Sequence, residues 1–565
     1  MSPRAPLWTS TCLFSFVAIT ACATKSPAGG PAPAQTPSDG LAAAVATIRA
    51  EDLASHVETL ASDAFAGRFP GTAGEVKTVS YISAHFARVG LRPTVGGSFA
   101  QPVPLVSATP DPSATLQAHG ARGAATLRWG DDLLVGSPAA TPEVTLRDAA
   151  VVFAGHGVVA PEYGWDDYGD VDVKGAIVVV LGGDPGPSPQ EPTRFEGAAL
   201  SYYGTSWHKG EAAASRGAAA VLELRADGHG GVAWQTLAVG ARAPKMLLED
   251  DGRPHKPALQ GLIREEAAAS LASLGGHELA QLKAAAATSG FRARSLGVRA
   301  SITMKTERAA ALSHNVIGVL PGARRPDEYV VYTAHWDHVG VRPELSGDKI
   351  FNGAVDNATG TAALLELAEA YAALTPPPER SIVFMATTAE EQGLLGARHY
   401  AAHPVFPLRD TVGVINMDAL FPFGAFTSMT VVGLGSSELE DYLTAAAREV
   451  GRTVHADPSP ELGAFFRSDH YPFAERGVPA IFAVGGPDPA AAPSPALIER
   501  FVDYVQRRYH QPGDEYNAAT WDMTGIVQDV EVFLRTGVAL ARDDRFPNWR
   551  TGHVFRARRD AMRGS

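Results

Sequence analysis

The chain has 565 residues and a net charge of −13, with 45% hydrophobic and 19% charged residues. That length exceeds one ordinary core and predicts two or more domains of a soluble globular protein. The negative balance argues against a nucleic-acid binder, whose partner's phosphates demand a basic surface. Both cysteines, Cys12 and Cys22, lie at the extreme N-terminus, so the body holds neither a disulfide framework nor a cysteine zinc site.

Taken in order, Met1 to Ala21 carries Arg4 and then a weakly apolar stretch from Leu7 to Ile19. It is too short and too polar to span a membrane and reads as a secretory signal over residues 1–21. Its end, Ile19-Thr20-Ala21-Cys22, resembles the lipobox of bacterial lipoproteins. That resemblance implies lipidation of Cys22, attachment to a membrane and a cell-envelope location. Ala23 after the cysteine goes, in the same resemblance, with the outer membrane, facing the periplasm or the exterior. Residues 22–42, rich in Pro, Ala, Ser and Gly, cannot build a core and read as a tether.

From Leu41 the pattern turns helical. Ile48, Leu53, Val57 and Leu60 mark one amphipathic face, and Ser80 to Val89 predicts a second helix. GRFPGT, from Gly67 to Thr72, is turn chemistry between them. A strand follows at Gln101 to Val106. Residues 112–293 then alternate short β-runs with Gly/Pro turns around one helix, Lys209 to Arg216, and predict a mostly β inserted domain. The acidic run Asp166, Asp167, Asp170 and Asp172 reads there as a solvated loop. After Leu312, βα alternation predicts a mainly parallel sheet flanked by helices. Helices are expected at Thr361 to Leu374, Leu394 to Ala401, Ser437 to Val450 and Asp522 to Ala541. The discontinuous outer domain is thus bounded at 43–111 and 294–545, leaving 546–565 as a C-terminal tail.

Chemistry gathers in this second half. The apolar run Tyr329 to Tyr332 ends in His335, Trp336 and Asp337, and Asp356 opens the next helix. The following two strand-like runs finish in Glu390-Glu391 and in Asp418. Ligands in open α/β sheets bind where strands end. His335, Asp356, Glu391, Asp418 and His510 are therefore the candidate metal ligands. Five are too many for one catalytic zinc with an open position and suit two metals if one carboxylate is shared. Asp356 is the natural bridge, pairing His335 with Asp418 on one metal and His510 with Glu391 on the other. Asp337 can orient the His335 imidazole through its second nitrogen. Glu390, pointing away from its neighbour, is free to act as general base. His338, His399, His403 and His455 read as ordinary polar residues.

These stretches resemble the co-catalytic dizinc aminopeptidase family, which includes bacterial leucyl aminopeptidases and, more distantly, glutamate carboxypeptidase II and the transferrin receptor. The residues that carry the resemblance are TAHWDHVG, GAVDNATGTAALLELA, TTAEEQGLLGA, INMD, FRSDHYPFAERGVPA and YHQPGDE. VVFAGHGVVAPEYGWDDYGDVDVKGAIVVVL and WHKGEAAASRGAAAVLEL in the insert resemble a protease-associated domain. The resemblance implies a zinc exopeptidase fold, two Zn²⁺, the ligand and base roles given above, and a cis peptide after Asp356. It further implies hydrolysis of N-terminal residues from peptides. Alternatives on the same scaffold are a carboxypeptidase of acidic peptides, a non-catalytic receptor-like relative and a single-zinc glutaminyl cyclase. Arg467 is the one obvious arginine near FRSDH, and alone it reads as a partner for a nearby acid rather than a carboxylate clamp.

Overall fold

The computed structural model describes residues 39–225, 232–489, 491 and 494–564. The signal stretch, Cys22 and the tether up to residue 38 lie outside the described residues. Asp39–Val45 is already helical, so the tether expected to run to 42 ends earlier. No described helix is long and apolar enough to cross a membrane. The described chain forms two compact units, one of residues 104–311 with 459–466 and the other of 39–103, 312–458 and 467–564.

The discontinuous unit is built on a mixed sheet. Its strands run in the order Arg92–Pro93, the end of Arg294–Leu320, Arg380–Thr387, Arg325–His335, Thr411–Asn416, Ala480–Gly486, Ser428–Val432 and Thr453–Ala456. The four strands from Arg380–Thr387 to Ala480–Gly486 are parallel, with Val330 registered between Ile382 and Gly413. Every residue of Arg380–Thr387 and of Thr411–Asn416 is buried, as is Tyr329 to His335. Burial on both faces explains why these strands read as unbroken apolar runs rather than alternation.

The helix expected at Thr361 to Leu374 spans Gly360–Ala373 and does not bury one side alone. It is instead buried at nearly every position from Gly360 to Tyr371. It packs on Arg325–His335 and beneath the helices Ala50–Leu60 and Thr524–Arg542, so no face is left to water. Thr524–Arg542 approaches the sheet at Gly537. A Cβ there would lie 1.8 Å from Tyr332 Oη and 2.5 Å from Tyr371 Oη. The two phenols are 3.0 Å apart, and Tyr332 donates to the Phe533 carbonyl at 2.7 Å. Gly537→Ala should therefore destabilise the unit by about 1–3 kcal/mol through overpacking, despite alanine's better helix propensity. Denaturant unfolding checks this, and a gain in stability would contradict the close approach.

Beyond residue 545 the expected tail is part of the fold. Trp549 is buried and donates to the Gly477 carbonyl at 2.9 Å. Arg559, on the helix Arg556–Arg563, is buried and donates to the Thr411 carbonyl at 2.8 Å. Isolated aromatics among arginines carry no periodic signal, which is why the packing is not legible beforehand.

The other unit has its own sheet. Its strand order is Gly123–Arg128, Thr115–Gly120, the start of Arg294–Leu320, Glu143–Phe153, Ile177–Leu181, Ala220–Arg225, Leu259–Arg264 and Leu133–Gly136. The expectation of one helix is too low. Ser206–Ser215, Trp234–Ala241, Glu265–Leu274 and Leu279–Ala286 are all helical. Alanine and leucine supply the helix propensity of the last two, which the neighbouring β-runs mask. Asp167, expected in a solvated loop, is fully buried and accepts from Val158 N at 2.9 Å and Trp165 Nε1 at 2.8 Å. Burial pushes its carboxyl up to about 6.

Candidate metal centre

The C-terminal ends of the parallel strands bring the expected residues together. His335 closes its strand, and its Nε2 lies 3.2 Å from Asp418 Oδ1 and 3.3 Å from Asp356 Oδ1. His510 Nε2 lies 2.9 Å from Asp356 Oδ2 and 3.0 Å from Glu391 Oε2. Asp356 thus divides its two oxygens between two imidazoles. Glu390 Oε2 stands further off, 3.9 Å from His335 Nε2. The donor atoms of His335, Glu390 and Asp418 lie within 4.8 Å of one another, as do those of His338, Asp356, Glu391 and His510.

Backbone anchoring sets this geometry. The Asp356–Asn357 peptide is cis, as the resemblance implies. Asn357 Oδ1 accepts from Gly360 N at 3.0 Å and Ala419 N at 3.1 Å, and its Nδ2 donates to the Met417 carbonyl at 3.0 Å. The Asp356 and Asp418 loops are therefore tied to each other. Asp514, four residues after His510, accepts from Val355 N at 3.0 Å and Asp356 N at 3.1 Å. That pair of bonds brings the distant His510 loop to the centre. Ser468 donates to Asp418 Oδ2 at 2.6 Å and accepts from Asn416 Nδ2.

Asp337 does more than face His335. His335 Nδ1 lies 3.2 Å from the Asp337 carbonyl oxygen and 3.8 Å from its carboxylate. The carboxylate itself accepts from Glu390 N at 3.0 Å and Glu391 N at 3.4 Å, fixing the Glu-Glu turn. Asp469 is buried and takes a hydrogen bond from Thr387 Oγ1.

Two contributors escape a reading of the sequence. Arg68, inside the stretch taken as turn chemistry, is fully buried. Its guanidinium donates to the carbonyls of Leu60 (2.7 Å), Trp336 (2.8 Å), Asn352 (2.6 Å) and Gly353 (2.8 Å). It clamps the loops that carry His335 and Asp356, and nothing local in GRFPGT announces it. His338, read as an ordinary polar residue, is buried with Nδ1 2.6 Å from Glu391 Oε1. Its place in the run His335-Trp336-Asp337-His338 was the available signal.

The electrostatics call for added positive charge. Asp337, Asp356, Glu390, Glu391, Asp418, Asp469 and Asp514 crowd three imidazoles and one guanidinium. Burial pushes Asp337 up to about 8, and Asp469 and Asp514 up to about 6. Burial likewise raises Glu390 well above the ordinary carboxylate range. It works to raise Glu391 as well, yet the His510 charge pulls that carboxyl down to about 2. Burial opposes charge on His335 and His510, but carboxylates nearby, led by Asp418 and Glu391 respectively, hold both well above 6.5. Buried carboxylates in such excess are costly unless cations compensate them. Imidazole nitrogen and carboxylate oxygen are ligands that zinc takes. The residues fit a divalent-metal centre.

Residues 315–534 match Peptidase family M28. Aminopeptidase YwaD of Bacillus subtilis is 30% identical over 215 residues, 37% of this chain and 44% of that protein. Aminopeptidase NAALADL1 of Mus musculus is 30% identical over 159 residues, 27% of this chain and 19% of that one. The chain spans less than half the length of these curated relatives. Among solved structures, an aminopeptidase from Aneurinibacillus sp. strain AM-1 aligns with a TM-score of 0.48 at 20% identity, over 90% of this chain and 97% of that one.

Proposed function

We propose that the protein is a dizinc aminopeptidase, a reading supported by the match of residues 315–534 to Peptidase family M28. The observation that carries the reading is Asp356, whose two oxygens are shared between His335 and His510. In this reading His335 and Asp418 would hold one zinc and His510 and Glu391 the other, with Asp356 available to both. Zinc, when bound, supplies Lewis acidity that polarises a peptide carbonyl and acidifies water.

The chain's own residues do the rest. Glu390 takes a proton from the attacking water and returns it to the leaving amine. Its amide is held by Asp337, so the carboxylate is presented to the centre from a fixed turn. Asp337 and Arg68 keep the ligand loops in register, and Asp514 holds Asp356 in place. A carboxylate-rich pocket suits the free ammonium of a peptide N-terminus.

The test pairs one peptide with its N-acetylated twin. The free peptide should lose its first residue in a reaction that a chelator stops and zinc restores, and the acetylated one should resist. Cleavage of the acetylated peptide that Arg467→Ala abolishes would replace this reading with a carboxypeptidase.

Export and lipid attachment at Cys22 belong to the same proposal. They are supported by the signal-like residues 1–21 and the Ile19-Thr20-Ala21-Cys22 sequence. Two or more acyl chains on one residue anchor durably where one does not. Cys22→Ser should move the protein from the membrane to the soluble fraction, and an unchanged membrane fraction would refute the anchor.

A further inference from the structure

We infer that His338 is a positioning residue that confines Glu391 to ligation through one oxygen, Oε2, and so suits the His510 side of the centre to zinc. This rests on the dizinc reading above and adds a determinant of metal choice to it.

The Glu391 carboxylate is split between two imidazoles. Oε1 lies 2.6 Å from His338 Nδ1, and Oε2 lies 3.0 Å from His510 Nε2. A carboxylate accepts, so the His338 nitrogen facing Oε1 carries the proton. That hydrogen bond removes the rotation by which Glu391 could exchange its oxygens or offer both.

The ring is held as firmly as the ligand it holds. His338 is fully buried, and the His510 ring meets it edge-on with centroids 5.5 Å apart. Gly353, at φ +59°, lets the backbone close on the other side. A Cβ there would lie 2.5 Å from His338 Cγ. The Asn352 and Gly353 carbonyls are in turn gripped by Arg68. A line of support runs from Arg68 through Gly353 and His338 to Glu391.

A space-filling role does not account for this arrangement. His338 Nε2 is buried with no hydrogen-bond partner, an expense that an aliphatic side chain of similar size avoids. What the imidazole adds is the single donor aimed at Glu391 Oε1. Outer partners of this kind orient a ligand and sharpen a site's preference. A carboxylate held to one oxygen suits four-coordinate zinc, and one free to give both suits larger, oxygen-preferring cations.

The test measures metal affinity on the full chain, by competition with a chromophoric chelator, for Zn²⁺ and for Mn²⁺. His338→Ala should weaken one of two zinc sites by roughly 10–100-fold and shift that site's preference toward Mn²⁺. His338→Asn, whose amide can donate from near the Nδ1 position, should restore most of the loss. The inference is overturned if His338→Ala binds both zinc ions as the wild type does. It is equally overturned if the Asn variant is as defective as the Ala variant. A wild-type chain that takes up fewer than two zinc ions would instead refute the dizinc reading, so the two failures are distinct.

Discussion

Glu390→Gln should retain its zinc and lose roughly 10²–10⁴ in kcat, the usual worth of a general base. The amide matches the carboxylate in shape but cannot take the proton of an attacking water. The turn that presents it is fixed by the bond from Glu390 N to Asp337, which the substitution leaves in place. Glu390 is also the most distant of the three carboxylates around His335 Nε2, at 3.9 Å against 3.2 and 3.3 Å. That separation fits a base beside the metals better than a ligand. Zinc content and kcat measured on one preparation decide the matter. Loss of zinc would make Glu390 a ligand, and an unchanged kcat would remove it from the chemistry.

Asp356→Ala has the larger expected effect on the centre itself. With each oxygen facing a different imidazole, one substitution should weaken both metal sites and drop peptide hydrolysis to background. The surrounding loop is held through its main chain, the Val355 and Asp356 amides donating to the Asp514 carboxylate, so the fold should survive. A folded Asp356→Ala variant that keeps one zinc at wild-type affinity would show that the carboxylate serves a single metal.

Three of the ligands are legible in the sequence because they stand where apolar, doubly buried strands stop. His335, Glu391 and Asp418 end or follow such strands, and a charge there has few purposes beyond chemistry. His510 is different. It sits in an irregular loop and reaches the centre because Asp514 binds the Asp356 backbone, a contact across 158 residues.

The supporting groups are less legible still. Arg68 acts on carbonyls up to 285 residues away, and carbonyls leave no trace in a sequence. His338 lies beside Asp337, but only the fold reveals that its ring turns toward Glu391 Oε1. In the inserted unit, Glu265–Leu274 and Leu279–Ala286 are short alanine-rich helices between strands, where β-runs set the expectation. Asp167 stands in a run with three other aspartates, Asp166, Asp170 and Asp172, yet it is buried and bonded to the Val158 amide and the Trp165 indole.

The central claim is a shared two-metal centre, and counting bound zinc tests it most directly. Purified full-length chain, stripped with chelator, reloaded and freed of excess metal, is predicted to hold two zinc ions per polypeptide. One ion, or none, would contradict the account.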